Sequence, residues 1–236
     1  MKNALELHKV SKEYGGSPGV IALRTVSLTV AMGEFVAIVG PSGSGKTTML
    51  SIAGTLERPT TGRVVIAGSS VEELSDDELA DVRASEIGFV FQRFFLLPTL
   101  STLDNVASGL LYRGIGLEVR RRAALSALEA VRLDHRAERR PNQLSGGECQ
   151  RAAIARALLG DPKIILADEP TGNVDSAQGS EILALLSELN ADGRTIVVVT
   201  HSQEISDALP RTVHVRDGQV ESDSASTGDD NESSFA

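Results

Sequence analysis

Residues 33–50, GEFVAIVGPSGSGKTTML, constrain the fold more than any other stretch of the chain. Five consecutive apolar residues, Phe35 to Val39, read as a strand buried on both faces, because a half-exposed strand would alternate apolar and polar positions. Strands of that kind belong to parallel sheets covered by helices on both sides. The chain then turns through glycines and enters a helix near Lys46. The turn GPSGSGKT (40–47) has the spacing G-x-x-x-x-G-K-[ST]. Gly43 and Gly45 let backbone N–H groups turn inward around a phosphate chain. The helix N-terminus adds partial positive charge. Lys46 is placed to reach β- and γ-phosphates, and Thr47 to offer a hydroxyl to Mg²⁺. Gly40, Pro41, Ser42, Ser44 and Thr48 complete the candidate nucleotide-binding set. The order strand, glycine turn, helix argues against an ordinary tight turn carrying a surface lysine.

Around this unit the pattern is that of an α/β protein. The first 35 or so residues alternate and carry β-branched side chains (ALELHKV, GVIALRTVSLTV), which predicts a small antiparallel sheet. GRVVIAG (62–68) and EIGFVFQ (86–92) read as short strands. SDDELADVRAS (75–85) reads as a helix, with Ser75 and Glu78 forming a capping box. Residues 93–160 change character: Arg, Ala and Leu recur at helical spacing, predicting an inserted α-helical subdomain. Strand and helix then alternate again through PKIILADEP, DSAQGSEILALLSELN, RTIVVVTH and SQEISDALP. RTVHVRDGQVES closes with two strands around an Asp-Gly turn. The expected architecture is a P-loop NTPase core with a mostly parallel sheet, an N-terminal antiparallel β-subdomain and the helical insertion. Residues 1–221 form one domain on this reading.

A second acidic feature fits the first site. In IILADEP (164–170) four apolar residues lead into two acids at the carboxyl end of a strand, the edge where open α/β sheets bind ligands. Asp168 can hold Mg²⁺ through its water shell. Glu169 can polarise a water toward the γ-phosphorus. These two features alone leave kinases, GTPases, DNA motors and transporter engines open.

The stretch LSGGECQR (144–151) narrows the choice. A P-loop followed about a hundred residues later by LSGGE at a helix start, and then by ADEP, resembles the ATP-binding-cassette (ABC) ATPases. The resemblance covers residues 4–221. It implies that Gln92 belongs to a Q-loop contacting Mg²⁺ and the attacking water, that Asp175 of GNVD belongs to a D-loop, that His201 contacts the γ-phosphate, and that Tyr14 stacks on adenine. It makes Glu169, His201 and Gln92 the catalytic set, and Thr47, Gln92 and Asp168 the metal set. It also implies a head-to-tail homodimer, in which Leu144, Ser145, Gly146, Gly147 and Glu148 of one chain act on the ATP of the other. Ser145 can cap the helix and offer a hydroxyl, and Gly146 and Gly147 bare N–H groups for a γ-phosphate. Cys149 departs from the Gln that is usual in the family.

FQRFFLLPTLSTLDNVASGL and EPTGNVD resemble the branch of macrolide exporters, lipoprotein-releasing ATPases and the cell-division cassette. That implies separate transmembrane permease subunits, a peripheral place on the cytoplasmic face of the plasma or inner membrane, and an exporter or mechanotransmission role. A non-transport cassette regulating a membrane partner is the alternative. A stand-alone small-molecule kinase would have no use for LSGGE or His201. The apolar run Phe94–Leu97 is expected to lie on a helix, split between a docking groove for a partner helix and the core of the subdomain.

Composition sets outer bounds. The net charge of −9 argues against nucleic acid as a partner. Five acids and no base occur in the last sixteen residues, and residues 222–236 are expected to be a disordered acidic tail. One cysteine excludes an intramolecular disulfide. No apolar run approaches a membrane span, and MKNALELHKVSKEYGG has no apolar secretory segment.

Overall fold

The computed structural model describes residues 2–16 and 19–225. It contains two sheets. Strands β1 (Asn3–Tyr14), β2 (Val20–Ala31), β4 (Thr61–Ile66) and β5 (Ser69–Ser70) form an antiparallel sheet in the order β2-β1-β4-β5. The second sheet has the order β10-β9-β3-β8-β7-β6. It comprises β3 (Phe35–Val39), β6 (Ile87–Val90), β7 (Ile164–Asp168), β8 (Ile196–Thr200), β9 (Arg211–Arg216) and β10 (Gln219–Asp223). All its pairs are parallel except the β9–β10 hairpin. That hairpin turns on Asp217 and Gly218, both at positive φ, as a two-residue turn matched to strand twist requires.

The parallel strands divide two cores between them. Val36, Ile38, Ile164, Leu166, Val197 and Val199 face the antiparallel sheet and helix α1 (Lys46–Ala53). Phe35, Ile165, Ala167, Ile196 and Val198 face the other side. There they meet α5 (Gly146–Leu158) and α6 (Ser176–Ala191), with α3 (Thr102–Ala107) and α4 (Leu117–Ala130) completing the second core. Every second residue serves the opposite core, and this is why these strands read as unbroken apolar runs.

Helix α2 (Asp76–Glu86) has the predicted capping box between Ser75 and Glu78. The inserted subdomain is helical from Thr102 to Leu158, but its first part is not. Phe94, Phe95, Leu96 and Leu97 lie in a loop rather than a helix, with Phe95 at φ 47°, and their exposure alternates. Phe94 and Leu96 are half-buried, Phe95 and Leu97 exposed. Two side chains hold this loop: the Arg156 guanidinium donates to the carbonyls of Phe94 and Phe95 (2.8 Å each), and Asn105 brackets the Leu97 backbone from both sides. The apolar run therefore splits within an irregular loop and not by helical periodicity. Strand β6 also ends at Val90, so Gln92 lies in the loop beyond it.

Helix α5 is buried on more than one face, from Gly147 through Ala157. A Cβ on Gly88 of β6 would lie 2.3 Å from the Ala157 carbonyl oxygen, so this glycine allows helix and sheet to touch. At the other end of the chain, β10 continues two residues into the segment read as a tail. The Arg211 guanidinium grips Asp223 in a bidentate pair (3.0 and 2.7 Å) and also binds Glu34 (2.7 Å). The rest of that acidic segment, 226–236, lies outside the described residues. Short helix α7 (Gln203–Ala208) links β8 to β9.

Candidate active site

The carboxyl ends of β3, β7 and β8 converge on one open cleft of about 510 Å³. Ser42, Gly43, Gly45, Lys46, Thr47, Thr48, Gln92, Asp168, Glu169 and His201 all line it. Residues separated by up to 159 positions in sequence thus meet around the glycine loop.

The loop is clamped from two directions. Gly43 and Gly45 have φ of 80° and 100°, which L side chains seldom adopt. A Cβ on Gly45 would also sit 2.4 Å from the Ala22 carbonyl oxygen of β2. The Gly218 N–H of the closing hairpin donates to the Ser44 carbonyl (3.0 Å), and its own carbonyl accepts from the Arg24 N–H (2.7 Å). Strand β2 and the β9–β10 turn thereby hold the loop's shape.

Lys46 begins α1 and is buried. Its Nζ donates to the carbonyls of Gly40 (2.7 Å) and Pro41 (2.9 Å). Burial pushes its pKa down, and the carboxylates of Glu169 and Asp168 act the other way. Asp168 is pushed up by burial and then by Glu169, with Lys46 opposing. One buried cation thus faces two adjacent acids across the cleft. The buried Ser44 hydroxyl has no hydrogen-bond partner among the described residues.

Glu169 follows the end of β7 at φ 46°, a left-handed conformation that strains a non-glycine residue. Its backbone is fixed by two bonds: Glu169 N–H to the Val199 carbonyl (2.8 Å) and Gly172 N–H to the Glu169 carbonyl (2.9 Å). Its side chain is held as tightly. His201 Nδ1 lies 2.6 Å from Oε1, and the Thr200 hydroxyl donates to Oε2 at 3.2 Å. Histidine and glutamate form one unit, with the imidazole largely exposed (68%) and the carboxylate largely covered (16%).

Tyr14, Asp175 and the predicted residues of the LSGGE turn, Leu144 to Glu148, are not among the residues that line the cleft. Tyr14 pairs with Val20 at its rim. Its hydroxyl donates to Glu57 (2.7 Å), and Lys12 Nζ lies 5.0 Å from the ring centroid. Asp175 caps α6 by accepting the Gln178 N–H (2.9 Å). Ser145 caps α5: its Oγ accepts the Glu148 N–H (3.2 Å), and Glu148 accepts the Ser145 N–H (2.8 Å). Glu148 also pairs with Arg136 (2.8 Å), so its carboxylate is committed within the chain. Leu144 is half-buried, Ser145 exposed and Gly146 half-exposed, whereas Gly147 is buried. Cys149 is buried too, with Sγ 3.7 Å from the Pro141 carbonyl oxygen.

Sequence reasoning missed three residues. Thr200 orients Glu169, and its only signal is a hydroxyl beside His201. Asn173 donates its amide to the Gln92 carbonyl (2.9 Å), joining the two loops that contain Gln92 and Asp175. Gln178 accepts the Gly147 N–H (2.6 Å). Neither amide residue belongs to a periodic or spaced pattern, and only the folded chain brings them to their partners.

A glycine cradle with a buried lysine, two acids at the sheet edge and a histidine against the second acid define a P-loop nucleoside triphosphatase. The family described as ABC transporter matches residues 23–172. An uncharacterised ABC transporter ATP-binding protein of Thermotoga maritima is 52% identical, over 94% of this chain and 95% of its own length. The macrolide export ATP-binding/permease protein MacB of Hyphomonas neptunium is 48% identical over 93% of this chain, which spans only 34% of that protein. The dimeric post-hydrolysis structure of the ATP-binding cassette MJ0796, bound to ADP and Pi, superposes with a TM-score of 0.84 at 48% identity, covering 93% of this chain and 97% of that one. The chain belongs to the ABC transporter family and is an ATP-binding-cassette ATPase.

Proposed function

We propose that this chain is the ATP-hydrolysing subunit of an ABC exporter or mechanotransmission complex, driving separate membrane subunits by ATP-dependent head-to-tail dimerisation. The observation that carries it is the division of the site: P-loop, Glu169 and His201 share one cleft, while Ser145 and Gly146 stand apart on the surface. A second copy placed head to tail would bring that helix start to the nucleotide, as the dimeric cassettes with which this chain superposes suggest. The permease fusions among its relatives support a membrane partner. Among the described residues no helix is long and apolar enough to cross a membrane, so coupling requires another chain or segment. We place the complex at the cytoplasmic face of the membrane.

Each group then has a task. The glycine loop and α1 bind the β- and γ-phosphates, with Lys46 transferring its donors from the Gly40 and Pro41 carbonyls to phosphate oxygens. Tyr14 offers a ring face to adenine. Thr47, Gln92 and Asp168 would hold Mg²⁺. The donor set fits: one carboxylate, one hydroxyl and one amide leave positions for water and phosphate oxygens, as Mg²⁺ prefers. No group of three or more His, Cys, Asp or Glu among the described residues could cage a metal by itself. When bound, the ion would neutralise charge on the phosphates. Glu169 takes the proton from the attacking water, and His201 and Thr200 hold its two oxygens in place. The loop Phe94–Leu97, pinned to α5 by Arg156, lies beside a groove of about 360 Å³ lined by Phe89, Phe91 and Phe95 together with Arg83 and Arg156, which we assign to a partner's helix.

Glu169→Gln tests this directly. It should bind ATP with unchanged affinity, lose at least about 10²-fold in turnover, and elute as an ATP-dependent dimer in size-exclusion chromatography. Wild-type hydrolysis by that variant would overturn the assignment of the base.

A further inference from the structure

We infer that Glu57 is a positioning residue for the Tyr14 ring, and that it fixes the face offered to the base from the loop that leaves the phosphate-binding helix. This deepens the function proposed above and rests on Tyr14 stacking on adenine.

Strands β1 and β4 pair only as far as Ser11 and Thr61, so the last residues of β1 have no partner on β4. The loop 57–60 takes its place. The Thr60 N–H donates to the Ser11 carbonyl (2.8 Å), and Thr60 Oγ1 accepts the Glu13 N–H (3.0 Å). Lys12 Nζ donates to the Arg58 carbonyl (2.9 Å). Glu57 completes the series: its Oε2 accepts the Tyr14 hydroxyl (2.7 Å) and pairs with Lys12 Nζ (3.2 Å). Lys12 Nζ also lies over the Tyr14 ring, 5.0 Å from its centroid. The tip and one face of the ring are thus held within the chain, and a base stacks on the other face. Tyr14, Val20 and Ile21 are all exposed, and Val20 and Ile21 line the nucleotide cleft. Tyr14 pairs with Val20 across the sheet. An apolar rim of this kind suits the flat face of a base rather than a phosphate.

The other side of the same loop is anchored. The N–H groups of Leu56 and Glu57 both donate to the Ser51 carbonyl of α1 (2.8 and 3.3 Å). The Arg58 guanidinium donates to the Leu74 carbonyl (2.8 Å) and pairs with Asp76 (3.1 Å). The helix that begins with Lys46 and Thr47 therefore continues through a pinned loop to the ring. A free tyrosine turns about χ1 and χ2 and loses that freedom when a base binds; Glu57 removes it beforehand. The Glu57 carboxylate is a third exposed (34%), so its pairing with Lys12 contributes little by charge alone, and its effect lies in orientation.

The test compares ADP with inorganic pyrophosphate, which share two phosphates and differ by the nucleoside. Both are measured on the full chain with Mg²⁺, ADP by calorimetry and pyrophosphate by competition with ADP, so that no turnover intervenes. In Glu57→Leu the ADP dissociation constant should rise about fivefold, the cost of immobilising one side chain, with that of pyrophosphate within about twofold of the parent. Tyr14→Phe keeps the ring and removes the hydroxyl. It should give the same loss, and the double variant no more, because both changes break one bond; it also carries the test if the leucine variant does not fold. Glu57→Gln keeps an acceptor and should hold ADP binding within about twofold of the parent. Unchanged ADP affinity in Glu57→Leu overturns the proposal. An equal loss for both ligands also overturns it, because Glu57 would then support the phosphate helix and not the ring. Additive losses in the double variant overturn it too, by separating Glu57 from the hydroxyl. Tyr14→Ala tests the stacking itself: if the ratio of the two affinities stays unchanged there, the adenine assignment fails, whatever Glu57 does.

Discussion

On the proposed mechanism, Glu169 gathers most of the chemistry into one side chain. Its strained φ of 46° is maintained by backbone bonds to Val199 and Gly172, and its carboxylate by His201 and Thr200. Removing the imidazole leaves the carboxylate in place but held by Thr200 alone. His201→Ala should therefore lower kcat about 10²-fold while leaving the ATP dissociation constant within about threefold, read by steady-state turnover and by nucleotide binding. Cys149 makes the opposite case, a residue that invites a functional reading and supports none. Burial pushes its thiol up, and Glu148 adds to the effect. The folded chain should react with a thiol reagent at least about 10²-fold more slowly than the urea-unfolded chain. Fast labelling of the native protein would contradict its burial. The sequence marked Glu169, His201 and Cys149 at once, but only the fold showed which of them share the cleft and which is buried away from it.

Elements are held in register by a few ion pairs, and β10 is the clearest example. Burial acts to raise the Asp223 pKa, but its hydrogen bonds and pairing with Arg211 prevail and hold it below the ordinary 3.8. A carboxyl lowered on folding contributes stability above its unfolded pKa and loses it as pH falls through the folded one. Asp223→Asn should melt roughly 2–4 °C lower at neutral pH. The gap to the parent should close as pH falls below about 4; a gap that widens in acid would refute the pairing. This strand was only partly legible in the sequence. ESDS resembles the acidic residues that follow it, and nothing local announces that Asp223 meets Arg211. The same limit explains Phe94–Leu97. Four apolar residues fit helix and strand alike, and bonds from Arg156 and Asn105 hold them in an irregular loop that is neither.

At the scale of the whole molecule, the proposed site is divided between two surfaces of one chain. If two copies complete it, specific ATPase activity must rise with protein concentration, approaching proportionality in dilute solution, where the total rate becomes second order. Activity independent of concentration across that range would favour a self-sufficient monomer. Sequence by itself determined the local pieces: the apolar strands that feed two cores, the glycine turn, the capped helix starts at Ser75 and Ser145, and the acids ending β7. These follow from backbone conformation and periodicity, which act over a few residues. Only the tertiary structure decided that Gly147 belongs to Gln178, that Thr200 and His201 share Glu169, and that β2 and the β9–β10 turn clamp the glycine loop. Those pairings join residues about thirty to nearly two hundred positions apart. Contacts of that kind depend on how sheets and helices are stacked, and no local pattern in the chain encodes them.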